Sequence, residues 1–327
     1  MEKLVKVMEG IRKEIKKIKL EFAIAIIAFI AFQIPLIMWI ESLYLLRLYS
    51  VYAFHTSLGL AVTLLFGVAG QVVIFTGALA GTSAYVASLS SLHLGLGHAV
   101  AAALGILSGT SLGTALVWLA SRWDLRGIQV GILTLLASLA FEALILGNRA
   151  VTFGEVGFSV VDPLTSSGLG TLYALRVYAV AGLLLTSGLS LALLRMRGGR
   201  LWTLFRAAGE DPDLLKTNAL DPVRYKAIAA AISSAIASAA GILYVYSTGY
   251  VSPSTYSVAE ADIPAYLVAA IGGLGNPVGA LLGGAVILAL KELTRAVGPA
   301  SVAVYGLALL SAFAVRTRAR KGARASW

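Results

Sequence analysis

Residues 22–32 read FAIAIIAFIAF, a run without a single polar side chain, and stretches of similar character recur along the whole chain. A helix needs about 20 such residues to cross ~30 Å of hydrocarbon. Lipid offers the backbone no hydrogen-bond partners, so only helices and closed barrels span it. Barrel strands alternate apolar and polar positions, which a continuous apolar run does not do. The sequence therefore predicts an all-α, polytopic membrane protein. With 58% hydrophobic and only 13% charged residues, and a mean hydropathy of +0.86, the 327-residue chain has too little charge to clothe a soluble surface.

Ten segments fit the length criterion, two of them short: 22–40, 50–69, 72–92, 99–120, 127–146, 172–193, 227–246, 263–274, 278–290 and 300–315. The eighth and ninth are divided at Gly272, Gly273, Gly275, Asn276 and Pro277, because a Gly-Asn-Pro cluster stops a helix. With this division, 21 of the 26 Lys and Arg residues fall on one side; only Arg47, Arg149, Arg176, Lys291 and Arg295 fall on the other. The positive-inside bias thus predicts both termini in the cytoplasm and an even number of crossings of the cell membrane. It also accounts for the net charge of +10 through anionic lipid headgroups, with no nucleic-acid partner.

The chain is divided as follows. Residues 1–20 place Leu4, Met8, Ile11, Ile15 and Ile18 on one face among lysines, an amphipathic helix expected on the cytoplasmic leaflet. The membrane domain spans 21–318, and 319–327 form a basic tail. The absence of cysteine removes disulfides, thiolate metal sites and thiol chemistry. His55, His93 and His98 lie on separate segments without ligand spacing, so no metal site and no cofactor are expected. No Gly-rich Lys loop of the Walker type occurs, so the chain is not expected to hydrolyse ATP and is not read as an enzyme.

The longest polar interruption runs from 195 to 226, RMRGGRLWTLFRAAGEDPDLLKTNALDPVRYK. Two Asp-Pro steps punctuate it, predicting a helix over 200–208 that stops at Gly209 and another over 213–219 behind Pro212. Trp202 and Phe205 lie three apart, on one face. As exposed aromatics they suit either a headgroup-level interfacial loop or a docking element for a cytoplasmic protein.

The segment GRLWTLFRAAGEDPDLLKTNALDPVRYK, followed by YSTGYVSPSTYSVAEAD and AAIGGLGNPVGALLGGAVILAL, resembles the permease subunits of ATP-binding-cassette importers for branched-chain amino acids. GLAVTLLFGVAGQVVIFTGALAGTSAYVASL is similar to the Gly-Gln-containing second and third helices of the same subunits, and the basic N-terminal extension matches the longer of their two types. The resemblance implies a permease translocating branched-chain amino acids or a related small solute. It implies two ATP-binding-cassette ATPase subunits, a second homologous permease subunit and an extracytoplasmic solute-binding protein as partners. It also implies that the polar loop is the coupling element docking onto the ATPase, with Arg206, Ala207, Glu210 and Asp211 at its core beside Trp202 and Phe205. Two positions depart from the family pattern: Gly209, where many relatives are bulkier, and Thr76, in a region where many carry histidine after Gly-Gln.

Glycine clusters at 67–81 and 272–284 interrupt spans in both halves. They suit close helix packing through small residues, or unwound backbone beside a central pathway. On the second reading Gln71, Gly77, Gly272, Gly273 and Gly275 line that pathway, joined by the intramembrane acid Glu142. Glu155, Asp162, Glu260 and Asp262 are expected in outer loops facing the solute-binding protein. The rival reading, an ion-coupled secondary transporter, needs buried ionisable groups, of which the spans offer little beyond Glu142.

Overall fold

The computed structural model describes residues 2–125, 127–295 and six positions between 303 and 311, with side chains from residue 20 onward. Among them, thirteen α-helices follow in order: α1 (Glu2–Trp39), α2 (Leu43–Leu65), α3 (Thr76–Leu94), α4 (His98–Arg122), α5 (Ile128–Gly147), α6 (Arg149–Thr152), α7 (Pro163–Ser166), α8 (Thr171–Met196), α9 (Arg200–Glu210), α10 (Pro212–Thr217), α11 (Pro222–Thr248), α12 (Ile263–Gly272) and α13 (Pro277–Thr294). Two short strands, β1 (Phe158–Ser159) and β2 (Tyr250–Val251), pair antiparallel with Phe158 opposite Val251. Seven of the helices are long and apolar enough to cross a membrane: α1 from Leu20, α2, α4, α5, α8, α11 and α13. The chain is a multi-pass membrane protein.

α2 and α11 pack together at the centre, with α3 and α4 on one side and α8, α12 and α13 on the other. The spanning window of α2 is 83% buried and that of α1 only 11%, so α2 is the axis of the core and α1 lies on the outside of the bundle with most of its apolar side chains uncovered. Without a hydrophobic drive between helices in lipid, close approach depends on small residues. Gly105, Gly109 and Gly113 of α4 provide it. A Cβ on them would come within 2.4 Å of the Ser83 carbonyl, 2.3 Å of the Ser238 hydroxyl and 2.1 Å of the Ser234 hydroxyl, respectively. Side-chain hydrogen bonds across helices add to the packing: Ser83 Oγ donates to the Ser238 carbonyl at 2.9 Å and Ser190 Oγ to the Pro277 carbonyl at 2.9 Å.

Nine of the ten expected segments have a helical counterpart among the described residues, and the tenth, 300–315, lies mostly outside them. Three features differ from expectation. α1 runs unbroken through the segment expected to lie on the leaflet and into the first span, since residues 11–34 contain neither glycine nor proline. The third segment does not become helical at Val72 but at Thr76, after a turn at 66–69 and a non-helical stretch over 70–75. α12 has ten residues, about 15 Å at the helical rise, too short to cross alone, and it folds back on α13 as a hairpin. A Cβ on Gly272 would meet the Gly279 carbonyl at 2.3 Å, and one on Gly283 the Val268 carbonyl at 2.3 Å. The turn between them needs glycine, with φ of +106° at Gly273 and +77° at Gly275.

Candidate functional site

Two interruptions of the helices meet inside the bundle. The first is the stretch 66–75 between α2 and α3; the second is 252–262, where a 3₁₀ turn (Pro253–Tyr256) and a π-helical turn (Val258–Asp262) lead into α12. Backbone groups freed from a helix inside a membrane protein need other partners. In the first break, remote side chains supply them. The Tyr266 hydroxyl of α12 accepts from Val73 N at 3.1 Å and donates to the Val73 carbonyl at 2.6 Å. On α5, Thr134 Oγ1 accepts from Ile74 N at 3.0 Å and Ser138 Oγ donates to the Ile74 carbonyl at 3.0 Å.

Asp262 closes the second break onto the first. It is fully buried, and its Oδ1 accepts from Thr76 Oγ1 at 2.7 Å and Gly77 N at 3.0 Å, at the first turn of α3. A helix N-terminus favours an anion, and hydrogen bonds to an ionised group are worth about 1.5–3 kcal/mol each, which offsets part of the cost of burial. Gly77 permits the approach, because a Cβ there would lie 2.6 Å from Ala261 Cβ and 2.8 Å from the Tyr256 carbonyl.

Beside the second break lies a polar cleft of about 270 Å³ between α2, α11 and α13. Lys291 Nζ donates to Glu260 Oε2 at 2.8 Å and to the Glu260 carbonyl at 3.3 Å. His55 Nε2 lies 3.1 Å from the same carbonyl, and its Nδ1 lies 2.9 Å from the Val51 carbonyl. A neutral imidazole can donate to only one of these at a time. Phe54 and Tyr244 stack at 4.5 Å between ring centroids and form the apolar wall.

α9 and α10 form a helical hairpin at the end of the bundle where α2 finishes. Asp211 Oδ1 accepts from Leu214 N at 3.1 Å and caps α10; Asp221 Oδ1 accepts from Val223 N at 2.9 Å and caps α11. Contrary to expectation, the two aromatics are not exposed: Phe205 is fully buried and Trp202 nearly so, facing the protein's own core with Ala208. Spacing of three identified a shared face, but that face turns inward. The outward face carries Leu201, Arg206 and Glu210, with Arg206 Nε 2.8 Å from Glu210 Oε1. α9 does not stop before Gly209 but continues to Glu210. Gly209 instead meets the first break: a Cβ on it would lie 2.4 Å from the Ala69 carbonyl and 2.9 Å from Gly70 N.

Residues 43–313 match the family described as "Branched-chain amino acid transport system / permease component". The chain belongs to this family. The permease is 30% identical to the high-affinity branched-chain amino acid transport system permease protein LivM of Salmonella typhimurium, over 73% of this chain and 60% of that protein. It is 29% identical to the LivM protein of Escherichia coli over the same shares. The permease thus aligns with about 60% of the length of the curated relatives it matches. Among solved structures, a metal-chelate type ABC transporter in an inward-facing conformation superposes with a TM-score of 0.47 at 16% identity, covering 90% of the permease and 97% of that chain.

The residues singled out from the sequence fall into three groups in the permease. Trp202, Phe205, Arg206, Ala207, Glu210 and Asp211 share the α9–α10 hairpin, on both its faces. Gln71 and Gly77 belong to the first break and its junction with α3; Gly272, Gly273 and Gly275 belong to the α12–α13 turn, where Gly275 N would lie 2.4 Å from a Cβ on Gly67. Glu142 stands apart, half-buried on α5. Of the four acids expected in outer loops, Glu155 is exposed and Glu260 is partly exposed and paired with Lys291, whereas Asp162 is half-buried, caps α7 and accepts from the Tyr178 hydroxyl, and Asp262 is fully buried. The scarcity of buried ionisable groups read from the sequence is corrected accordingly, since Asp262 and His55 are both interior. No spacing pattern signalled the cluster of His55, Glu260 and Lys291, because His55 and Glu260 are 205 residues apart.

Proposed function

We propose that the permease is a transmembrane subunit of an ATP-driven importer carrying branched-chain amino acids into the cytoplasm. ATP is hydrolysed by two separate ATP-binding-cassette subunits, a second homologous permease subunit completes the pathway, and an extracytoplasmic solute-binding protein delivers the solute. The α9–α10 hairpin and both termini face the cytoplasm, as the distribution of basic residues supports. The pathway is bordered by the two breaks, with Gln71, Gly77, Gly272, Gly273 and Gly275 along it and Glu142 at its side.

The observation that carries this reading is the contact of Gly209 with Gly70. The hairpin offers Arg206 and Glu210 to solvent on one side and touches the first break on the other. A partner moving the hairpin therefore pushes directly on the non-helical stretch 70–75, which runs into the first turn of α3, where Thr76 and Gly77 are bonded to Asp262. Trp202 and Phe205 position the hairpin against the bundle, while Arg206, Ala207, Glu210 and Asp211 form the docking face.

The test is co-purification of the ATPase subunits with wild-type, Arg206→Ala and Glu210→Ala permease. An interface anchor costs about 2 kcal/mol or more when truncated, so ATPase retention should fall in at least one variant with membrane insertion unchanged. Full retention in both would remove the hairpin as the docking element.

A further inference from the structure

The cleft of about 270 Å³ beside the second break holds opposite charges over an aromatic wall. Lys291 and Glu260 are paired at 2.8 Å, and their side chains keep 18% and 41% exposure, so the pair is partly desolvated with the carboxylate the more open end. Phe54 and Tyr244 supply a flat apolar wall, and Ser254 and Thr255 supply hydroxyls at the rim. The volume lies just below the roughly 300–1,000 Å³ of pockets for drug-sized ligands, which suits a smaller solute.

We infer that this cleft binds the zwitterionic head of an amino acid, its carboxylate on Lys291 and its ammonium on Glu260, with the aliphatic side chain against Phe54 and Tyr244. The inference rests on the proposed function and names the recognition site within it. A pre-formed ion pair is net neutral, and so is a zwitterion. Inserting one into the other exchanges one ion pair for two and adds no net charge to a partly desolvated site. A ligand with only one of the two charges leaves a protein charge without its partner, which is the costly arrangement. Urea or a sugar satisfies neither charge. The position of the cleft also gives binding a mechanical outlet: Glu260 lies two residues before Asp262, whose carboxylate is bonded to Thr76 and Gly77 at the start of α3, where the first break ends.

The alternative is that the pair only braces the stretch 252–262 to α13. To separate the two, the full-length permease, assembled with its second permease and ATPases in nanodiscs without binding protein, is tested for equilibrium binding of radiolabelled leucine. Unlabelled leucine, leucinamide (no carboxylate) and isocaproate (no ammonium) serve as competitors. The site predicts displacement by leucine alone. Glu260→Gln and Lys291→Gln should each weaken binding by about tenfold or more, and Lys291→Arg should recover most of it. Wild-type affinity in both Gln variants, even with lowered thermal stability, would assign the pair a bracing role and overturn the inference. So would equal competition by leucinamide or isocaproate, or no leucine binding to the wild-type assembly. ATP-dependent leucine uptake by the wild-type assembly with binding protein is measured in parallel. Uptake without such binding overturns this site alone, whereas absence of uptake overturns the proposed function.

Discussion

Gly209 of the α9–α10 hairpin and Gly70 of the first helix break meet backbone to backbone, with no room for a side chain at Gly209. Glycine at 209 thereby has a physical reason, the close approach of two backbones. A methyl group there would stand 2.4 Å from the Ala69 carbonyl, and rigid backbone cannot yield to it.

Gly209→Val should therefore lift the hairpin from the first break while leaving its outward face intact. ATPase co-purification should persist, and leucine uptake per ATP hydrolysed should fall severalfold. Unchanged uptake per ATP would show that this contact does not transmit motion.

Arg206 and Phe205 make a second comparison. The Arg206–Glu210 pair is more than 60% exposed at both partners, and such pairs contribute only about 0.3–0.5 kcal/mol, so Arg206→Ala should hardly move the melting temperature. Phe205 is fully buried, and Phe→Ala in a core costs about 3–5 kcal/mol. Phe205→Ala should lower thermal stability sharply. Equal melting temperatures for the two variants would contradict the inward orientation of this face.

Asp262 provides the third. Asp262→Ala leaves the Thr76 hydroxyl and Gly77 N–H unpaired in the interior, each costing about 1–3 kcal/mol. Asp262→Asn keeps an acceptor oxygen and should be milder. Thermal unfolding in detergent checks the order, which an Ala variant as stable as the Asn variant would contradict.

Tyr266→Phe removes the one hydroxyl that serves both Val73 N and the Val73 carbonyl. Amide exchange at Val73 and Ile74 should accelerate, read by hydrogen–deuterium exchange, with α3 from Thr76 onward little changed. Uniform protection across the stretch would mean that the break is held by something other than Tyr266.

Local chemistry made much of this architecture readable. The Gly-Asn-Pro cluster divided α12 from α13, and Asp211 and Asp221 cap the helices behind their prolines. The late start of α3 was hidden because Val72, Val73 and Ile74 are as apolar as any helix, and the groups that hold them out of helix come from α5 and α12, Tyr266 from 193 residues away. Amphipathic spacing put Trp202 and Phe205 on one face of α9 without indicating which way it turns. Asp262 lies in a polar-looking stretch, YSTGYVSPSTYSVAEAD, that reads as an outer loop; its burial depends on Gly77 leaving space on a different helix.

Whether transport is powered by ATP through a separate subunit can be read from leucine uptake into proteoliposomes. Two preparations are compared: the permease alone, under proton or sodium gradients, and the permease with its second permease, ATPases and binding protein, with ATP. Uptake is expected only in the second, dependent on ATP hydrolysis and insensitive to collapsing the ion gradients. Gradient-driven uptake by the permease alone would contradict it and assign buried groups such as Asp262 to ion coupling.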